Sequence, residues 1–189
     1  MNWKFLLVGI IICTVIILSI YRNRSKRQLQ EEAQQAVKLA LQNIPEEVKF
    51  LMGISEKVFD RLEKVGFDGL TDSEKVFYCV WVLEGQVNNG GFDQYFFNTR
   101  GEYSVEAVDA FEKIGAGKTA EIIGRANSIF ENGRATKDRT ARKEDLDALP
   151  ESAQEALRGL DDEFYKCDED FDKLLYEFVV KHEAGFLDV

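Results

Sequence analysis

Read for apolar and polar positions, the chain opens on a run with no charge at all, FLLVGIIICTVIILSIY from Phe5 to Tyr21. Such a run lies at the short end of the roughly 17 to 25 residues that cross a hydrocarbon core as a helix. Trp3 and Tyr21 flank it, where amphipathic rings favour the headgroup layer. The pattern then becomes helical. Leu29, Ala33, Ala36, Val37, Ala40, Leu41 and Ile44 share one side of a projection of Gln28 to Ile44, with Gln and Glu on the other, which predicts an amphipathic helix. Pro45 ends it and suits the first turn of the next helix, together with Glu46 and Glu47. From Pro45 to Val65 apolar residues recur at spacings of three and four until Gly66 and Gly69 close the helix.

Thr71 to Glu74 and Ser152 to Glu155 both have the capping-box spacing that marks a helix start. Val76 to Leu83 (VFYCVWVL) is apolar on all sides. A buried strand produces the same run, but the cap before it and the lack of a convincing partner strand favour a central buried helix. Asn88 to Gly91 strings together residues that tolerate left-handed backbone, enough to stop that helix and turn into another that Gly101 ends. Further helices are expected over Ser104 to Ile114, closed by Gly115, and over Thr119 to Phe130, closed by Gly133. Two more fit Glu151 to Leu160 and Phe171 to His182, and Gly133 to Lys143 reads as a polar, basic loop. The expected fold is all-α: one N-terminal transmembrane helix (1–21), a basic juxtamembrane segment with the amphipathic helix (22–44), and a multi-helix domain (45–189).

Charge orients this arrangement. Lys4 precedes the apolar run, whereas Arg22, Arg24, Lys26 and Arg27 follow it, so the positive-inside rule places the C-terminal domain in the cytoplasm, at a cell inner membrane. A cleaved signal peptide would need a stronger basic start and small residues before the cut; Ser19-Ile20-Tyr21 ends in a bulky ring, and Ile12 stands where lipoprotein cleavage before Cys13 wants a small residue. The chain of 189 residues has a formal net charge of −10. The first 27 residues take five of the 24 basic side chains and none of the 34 acidic ones. The remainder is strongly acidic, which excludes direct nucleic-acid binding and favours basic protein surfaces.

Chemistry-bearing motifs are few. Three cysteines without CxxC spacing and the lone His182 argue against a disulfide framework or a zinc site, and no cofactor motif occurs. Gly115-Ala116-Gly117-Lys118-Thr119 looks like the end of a phosphate-binding loop, but the required first glycine falls on Glu112; a helix-turn-helix joint is expected. Glu84, Asn88, Asn89, Asp93, Gln94 and Asn98 could line a polar pocket, yet no strong nucleophile or acid/base pair accompanies them. Packing and turn chemistry is the favoured role for Glu84, Asn89, Gly90, Gly91, Phe92, Gln94, Tyr95, Asn98 and Gly101, with no catalytic residue assigned; amides of the Asn-Asn-Gly-Gly turn are the expected partners of a buried Glu84. Asp161 to Val189 holds ten acidic residues against three lysines, most densely at Asp161, Asp162, Glu163, Asp168, Glu169, Asp170 and Asp172. Duplex DNA carries a charge about every 1.7 Å of axis, and this cluster is the candidate for a partner-binding acidic face of comparable density.

The segments NNGGFDQYFFNTRGE, AxxxFEKIGAGKTAEIIGRANSIF and LDDEFYKCDEDFDKLLYEFV resemble the bacterial DNA-mimic-protein family, over roughly Gly69 to Phe186 and most specifically in the core NGGFxQYFxN. The resemblance implies an all-α fold and an acidic, dimeric surface that imitates DNA phosphates and binds a transcription regulator. The membrane anchor departs from the soluble pattern of that family. Three functions stand side by side: a membrane-tethered, non-enzymatic module that binds a basic protein; an enzyme with a pocket around Glu84, Asp93 and Gln94; and a structural subunit of a membrane assembly that uses the Gln28 to Ile44 helix as a contact surface.

Overall fold

The computed structural model describes residues 26–31, 34–35 and 44–186. The expected anchor over residues 5–21 lies outside the described residues, as does most of the expected Gln28 to Ile44 helix, of which 28–31 and 34–35 are helical. Among the described residues no helix is long and apolar enough to cross a membrane. The chain separates into two units, Met1–Pro45 and Glu46–Val189.

In the second unit the described residues form α1 (Glu46–Val65), α2 (Asp72–Phe97), α3 (Ser104–Ile114), α4 (Gly117–Asn127), α5 (Arg139–Asp147), α6 (Glu151–Lys166) and α7 (Phe171–Lys181), with short 3-10 turns at Thr99–Tyr103, Glu131–Gly133 and Glu183–Phe186. No strand occurs among them, so the unit is all-α. The apolar run from Val76 to Leu83 is the reason α2 lies at its centre. Val76 to Val80, Val82 and Leu83 are all buried, and α2 packs against α1, α3, α5, α6 and α7. Thr71 and Glu74 make the expected reciprocal cap: the Thr71 hydroxyl accepts from the Glu74 N–H at 3.1 Å, and the Glu74 carboxylate accepts from the Thr71 N–H at 2.7 Å. The same hydroxyl donates to the Gly185 carbonyl at 2.9 Å, tying the C-terminal 3-10 turn to the start of α2. Glu74 is fully buried and pairs with Arg61 of α1 at 3.2 Å. Phe59, Phe67, Tyr78 and Tyr103 complete the α1 side in edge and stacked ring contacts.

α2 is two helical segments joined at a kink. Gly91 takes φ 72° beside Gly90, a left-handed value that a side chain would strain. Asp161 of α6 fills the space beside Gly91 where a Cβ would stand, and its carboxylate accepts from the freed N–H of Phe92 at 2.7 Å. Tyr165, one turn further along α6, donates its hydroxyl to the Val87 carbonyl at 2.7 Å. The turn returns Phe92, Tyr95 and Phe96 to the core.

Several boundaries differ from the expected ones. Asn88 and Asn89 remain helical, so the break falls on the glycines alone. The second segment ends at Phe97 rather than Gly101, because Asn98 turns extended and its N–H bonds back to the Gln94 carbonyl. Gly101 instead lets the following turn lie against the Tyr95 carbonyl, where a Cβ would come within 2.7 Å. α4 starts at Gly117 and stops at Asn127, before the expected Phe130, and α7 ends at Lys181 rather than His182. α6 runs on to Lys166 because Phe164 is still core. The expected Ser152 cap is absent: Pro150 has the extended N-cap backbone and the helix begins directly after it, which leaves Ser152 inside the first turn.

The largest correction is α5. Gly133 to Lys143, expected as a basic loop, contains the start of a helix capped by the Asp138 side chain on the Ala141 N–H at 2.8 Å. Arg142 there is fully buried. Its guanidinium donates to the carbonyls of Phe96 at 2.7 Å, Asn98 at 2.9 Å, Thr136 at 2.6 Å and Lys137 at 3.0 Å. It therefore joins the end of α2 to the segment leading into α5. Arg142→Met would leave those carbonyls without their charged donor, and urea unfolding of the full chain in detergent should show a loss of about 3 kcal/mol. Arg142→Lys should not restore it, since an ammonium cannot reproduce the planar fork.

Candidate functional site

The acidic residues between Asp161 and Asp172 are largely bonded within the fold. Glu169 sits at the N-terminus of α4. It accepts from the Lys118 N–H at 3.0 Å, the Thr119 N–H at 2.9 Å and the Thr119 hydroxyl at 2.6 Å. Burial pushes its carboxyl up, but these donors outweigh it and hold the group below the ordinary carboxylate range. The Gly115 to Thr119 turn is thus the expected helix-turn-helix joint, and a carboxylate of the same chain caps it. Glu163 makes a bidentate pair with Arg125, one arm at 2.9 Å, and Asp168 pairs with Lys118 at 2.6 Å. Asp161 braces the α2 kink, and Asp170 caps α7 through the Lys173 N–H at 3.1 Å. Asp172 is half-buried, with its carboxyl pushed up by burial and by Asp170. Asp162 is exposed, 3.9 Å from Lys166.

The NNGGFDQYFFN stretch divides in the same way. Phe92, Tyr95 and Phe96 are core; Asn89, Gly90 and Asp93 are exposed. Asn98 and Gln94 both donate side-chain amide N–H groups to the Gln86 Oε1. Glu84 is half-buried and lies toward α7 rather than toward the Asn-Asn-Gly-Gly turn: burial first, then the charges of Asp172 and Asp170, push its carboxyl from 4.5 up to about 7. Glu84, Asp93 and Gln94 therefore have different neighbours.

Sequence reasoning passed over a second acidic region. Glu144, Asp145 and Asp147 of α5 and Glu151 and Glu155 of α6 are all exposed, and none of them is held in an ion pair among the described residues. The signal was the density of carboxylates from Glu144 to Glu155 at the ends of two adjoining helices, the first of which was not expected. Asp145 also borders a polar cleft with Glu102, Glu106, Glu131, Arg134 and Lys137, about 570 Å³ in volume.

A family model described as DMP19-like protein matches residues 68–182. The chain belongs to this family of DNA-mimic proteins. The match runs from Asp68, just ahead of the α2 cap, to the end of α7, and so agrees with the resemblance carried by NGGFxQYFxN. α1 lies outside it, although Leu51 and Val58 are fully buried in the same core. No curated protein and no solved structure matches the chain.

The Glu84 carboxyl gives a pH test. Its pKa in the fold lies above the unfolded value, so between the two the fold holds a proton that the unfolded chain has released. Stability from this group is full below about 4.5 and is lost as pH rises to about 7. Glu84→Gln should remove that loss, raising stability at pH 8 relative to pH 5 by on the order of 1–2 kcal/mol once partial exposure is allowed for. Urea midpoints of both proteins across that range read it directly.

Proposed function

We propose that this chain is a membrane-tethered, non-enzymatic module whose acidic face binds a basic, DNA-binding protein from the cytoplasmic side and holds it off DNA. The observation that carries the reading is the set Glu144, Asp145, Asp147, Glu151 and Glu155, close in sequence, exposed and without ion pairs among the described residues, in a member of a DNA-mimic family. Glu144 and Asp147 lie one turn apart on α5, and Glu151 and Glu155 one turn, about 6 Å, apart on α6, so each helix presents a pair of carboxylates on one face. Carboxylates already bonded to Arg125, Lys118, or the N-termini of α4 and α7 have less potential to offer a partner. Unlike the enzyme reading, this one asks no shared pocket of Glu84, Asp93 and Gln94.

Binding of this kind weakens with salt, because the Debye length falls from about 10 Å at 0.1 M to about 3 Å at 1 M. Full-length chain in lipid nanodiscs should capture a DNA-binding protein from its cell lysate at low salt and release it to added duplex DNA. The triple variant Asp147→Lys, Glu151→Lys, Glu155→Lys should lose that capture by at least tenfold, like-charge contact costing several kcal/mol. Capture insensitive to salt, DNA and the triple variant together would sink the reading.

The tether rests on the uncharged run from Phe5 to Tyr21 and on the basic residues Arg22 to Arg27 behind it. Alkaline carbonate should leave the full chain in the membrane fraction and release a chain begun at Gln28, and protease added to right-side-out cells should not reach the C-terminal domain. The dimer that the resemblance implies is part of the same proposal, and sedimentation of the detergent-solubilised chain reads its mass.

A further inference from the structure

The start of α5 sits over an exposed aromatic ring. Phe97, the last residue of α2, is 39% exposed, and two cations of α5 lie over it: the Arg139 guanidinium carbon is 5.9 Å and the Lys143 ammonium 5.3 Å from the ring centre. Residues four apart on a helix are neighbours, and like charges there repel. The buried guanidinium of Arg142 is near enough for its charge and that of Arg139 to oppose each other as well. Arg139 and Lys143 are exposed, and neither is held in an ion pair among the described residues. Lys118, Arg125 and Lys137, by contrast, each have a carboxylate. α5 is therefore divided by charge. Its first half carries Arg139 and Lys143 and its last half Glu144, Asp145 and Asp147, while the Asp138 carboxylate just ahead of it is taken by the Ala141 N–H.

We propose that this patch rests on an anionic lipid surface, with Arg139 and Lys143 meeting headgroup phosphates and Phe97 entering the boundary between headgroups and acyl chains. It rests on the reading of the chain as membrane-tethered and adds a second, weaker contact between domain and bilayer. An apolar ring flanked by basic side chains is the make-up of a surface that lies on a membrane, and each cation near an anionic leaflet adds to the attraction. Nucleic acid fits the patch less well. A strand needs cations along several successive phosphates, whereas here two cations give way to three exposed carboxylates within one short helix. A bilayer asks for one spot. Repulsion between its leaflet and the acidic half of α5 gives the contact a direction: the basic half meets lipid and the acidic half stays open to a partner.

The photocrosslinking residue p-benzoylphenylalanine, aromatic like the ring it replaces, is placed at Phe97 of the full chain in vesicles of equal parts phosphatidylcholine and phosphatidylglycerol, and for comparison at Val180, which is also exposed, on α7. The Phe97 site should give lipid adducts and the Val180 site none, and the adducts should fall several-fold in phosphatidylcholine alone. Arg139→Gln combined with Lys143→Gln should lower the yield roughly twentyfold, about fivefold per cation. Both side chains are exposed, so the urea midpoint of that variant should not fall. In the unsubstituted chain in lipid nanodiscs, a spin label on the headgroups should broaden the amide signals of residues 97 and 139–143, a readout that needs no variant to fold. Adducts equal in neutral lipid, equal at both sites, or unmoved by the double variant would overturn the contact, as would transfer of the Phe97 crosslink to added duplex DNA. The tether is judged apart. A chain that carbonate leaves in the membrane but that gives no adduct at Phe97 loses the patch and keeps the tether; one that carbonate releases but that still crosslinks to anionic vesicles keeps the patch and loses the tether.

Discussion

The bond between the Asp161 carboxylate and the Phe92 N–H is the contact on which the arrangement of the other helices turns. A helix as apolar as α2 cannot run straight through a unit this small without presenting its second half to solvent. Breaking it at Gly90 and Gly91 folds Phe92, Tyr95 and Phe96 back onto the same core, at the expense of backbone N–H groups that lose their helical acceptors. Asp161 serves one of them from outside the helix, and Gly91 makes room for it. The kink, the position of α6 and the burial of three aromatic rings are therefore one requirement met by two residues far apart in sequence.

A second link of the same kind closes the other end. Where α2 stops, its last carbonyls lack helical partners, and Arg142 reaches in from α5 to supply donors to Phe96 and Asn98. Glu169 does the converse for α4, a carboxylate on free N–H groups. The end of α2 and the start of α4 are thus completed by charged side chains from elsewhere in the chain. That use of charge is structural: it removes some acidic and basic residues from the surface and leaves others to determine what the surface attracts.

This division bears on how an acidic protein can be specific. Net negative charge alone brings basic partners near but gives no register.

The all-α class, the Thr71 capping box, the central burial of Val76 to Leu83, the Ser104 to Ile114 helix and the family were all legible in the chain. Each depends on neighbours within a few residues or on a local motif. Sequence could not say which charges are spent inside the fold. Arg142 looks like one more cation in a basic loop, and Glu169 and Asp161 like two more members of an acidic run, because the groups that claim them lie dozens of residues away. The same limit applies to the acidic surface: density along the chain points to Asp161 through Asp172, yet several of those carboxylates are bonded within the fold, whereas Glu144, Asp145, Asp147, Glu151 and Glu155 are exposed without ion pairs among the described residues. A carboxylate's availability depends on its partners in space, and only the tertiary structure brings those partners together.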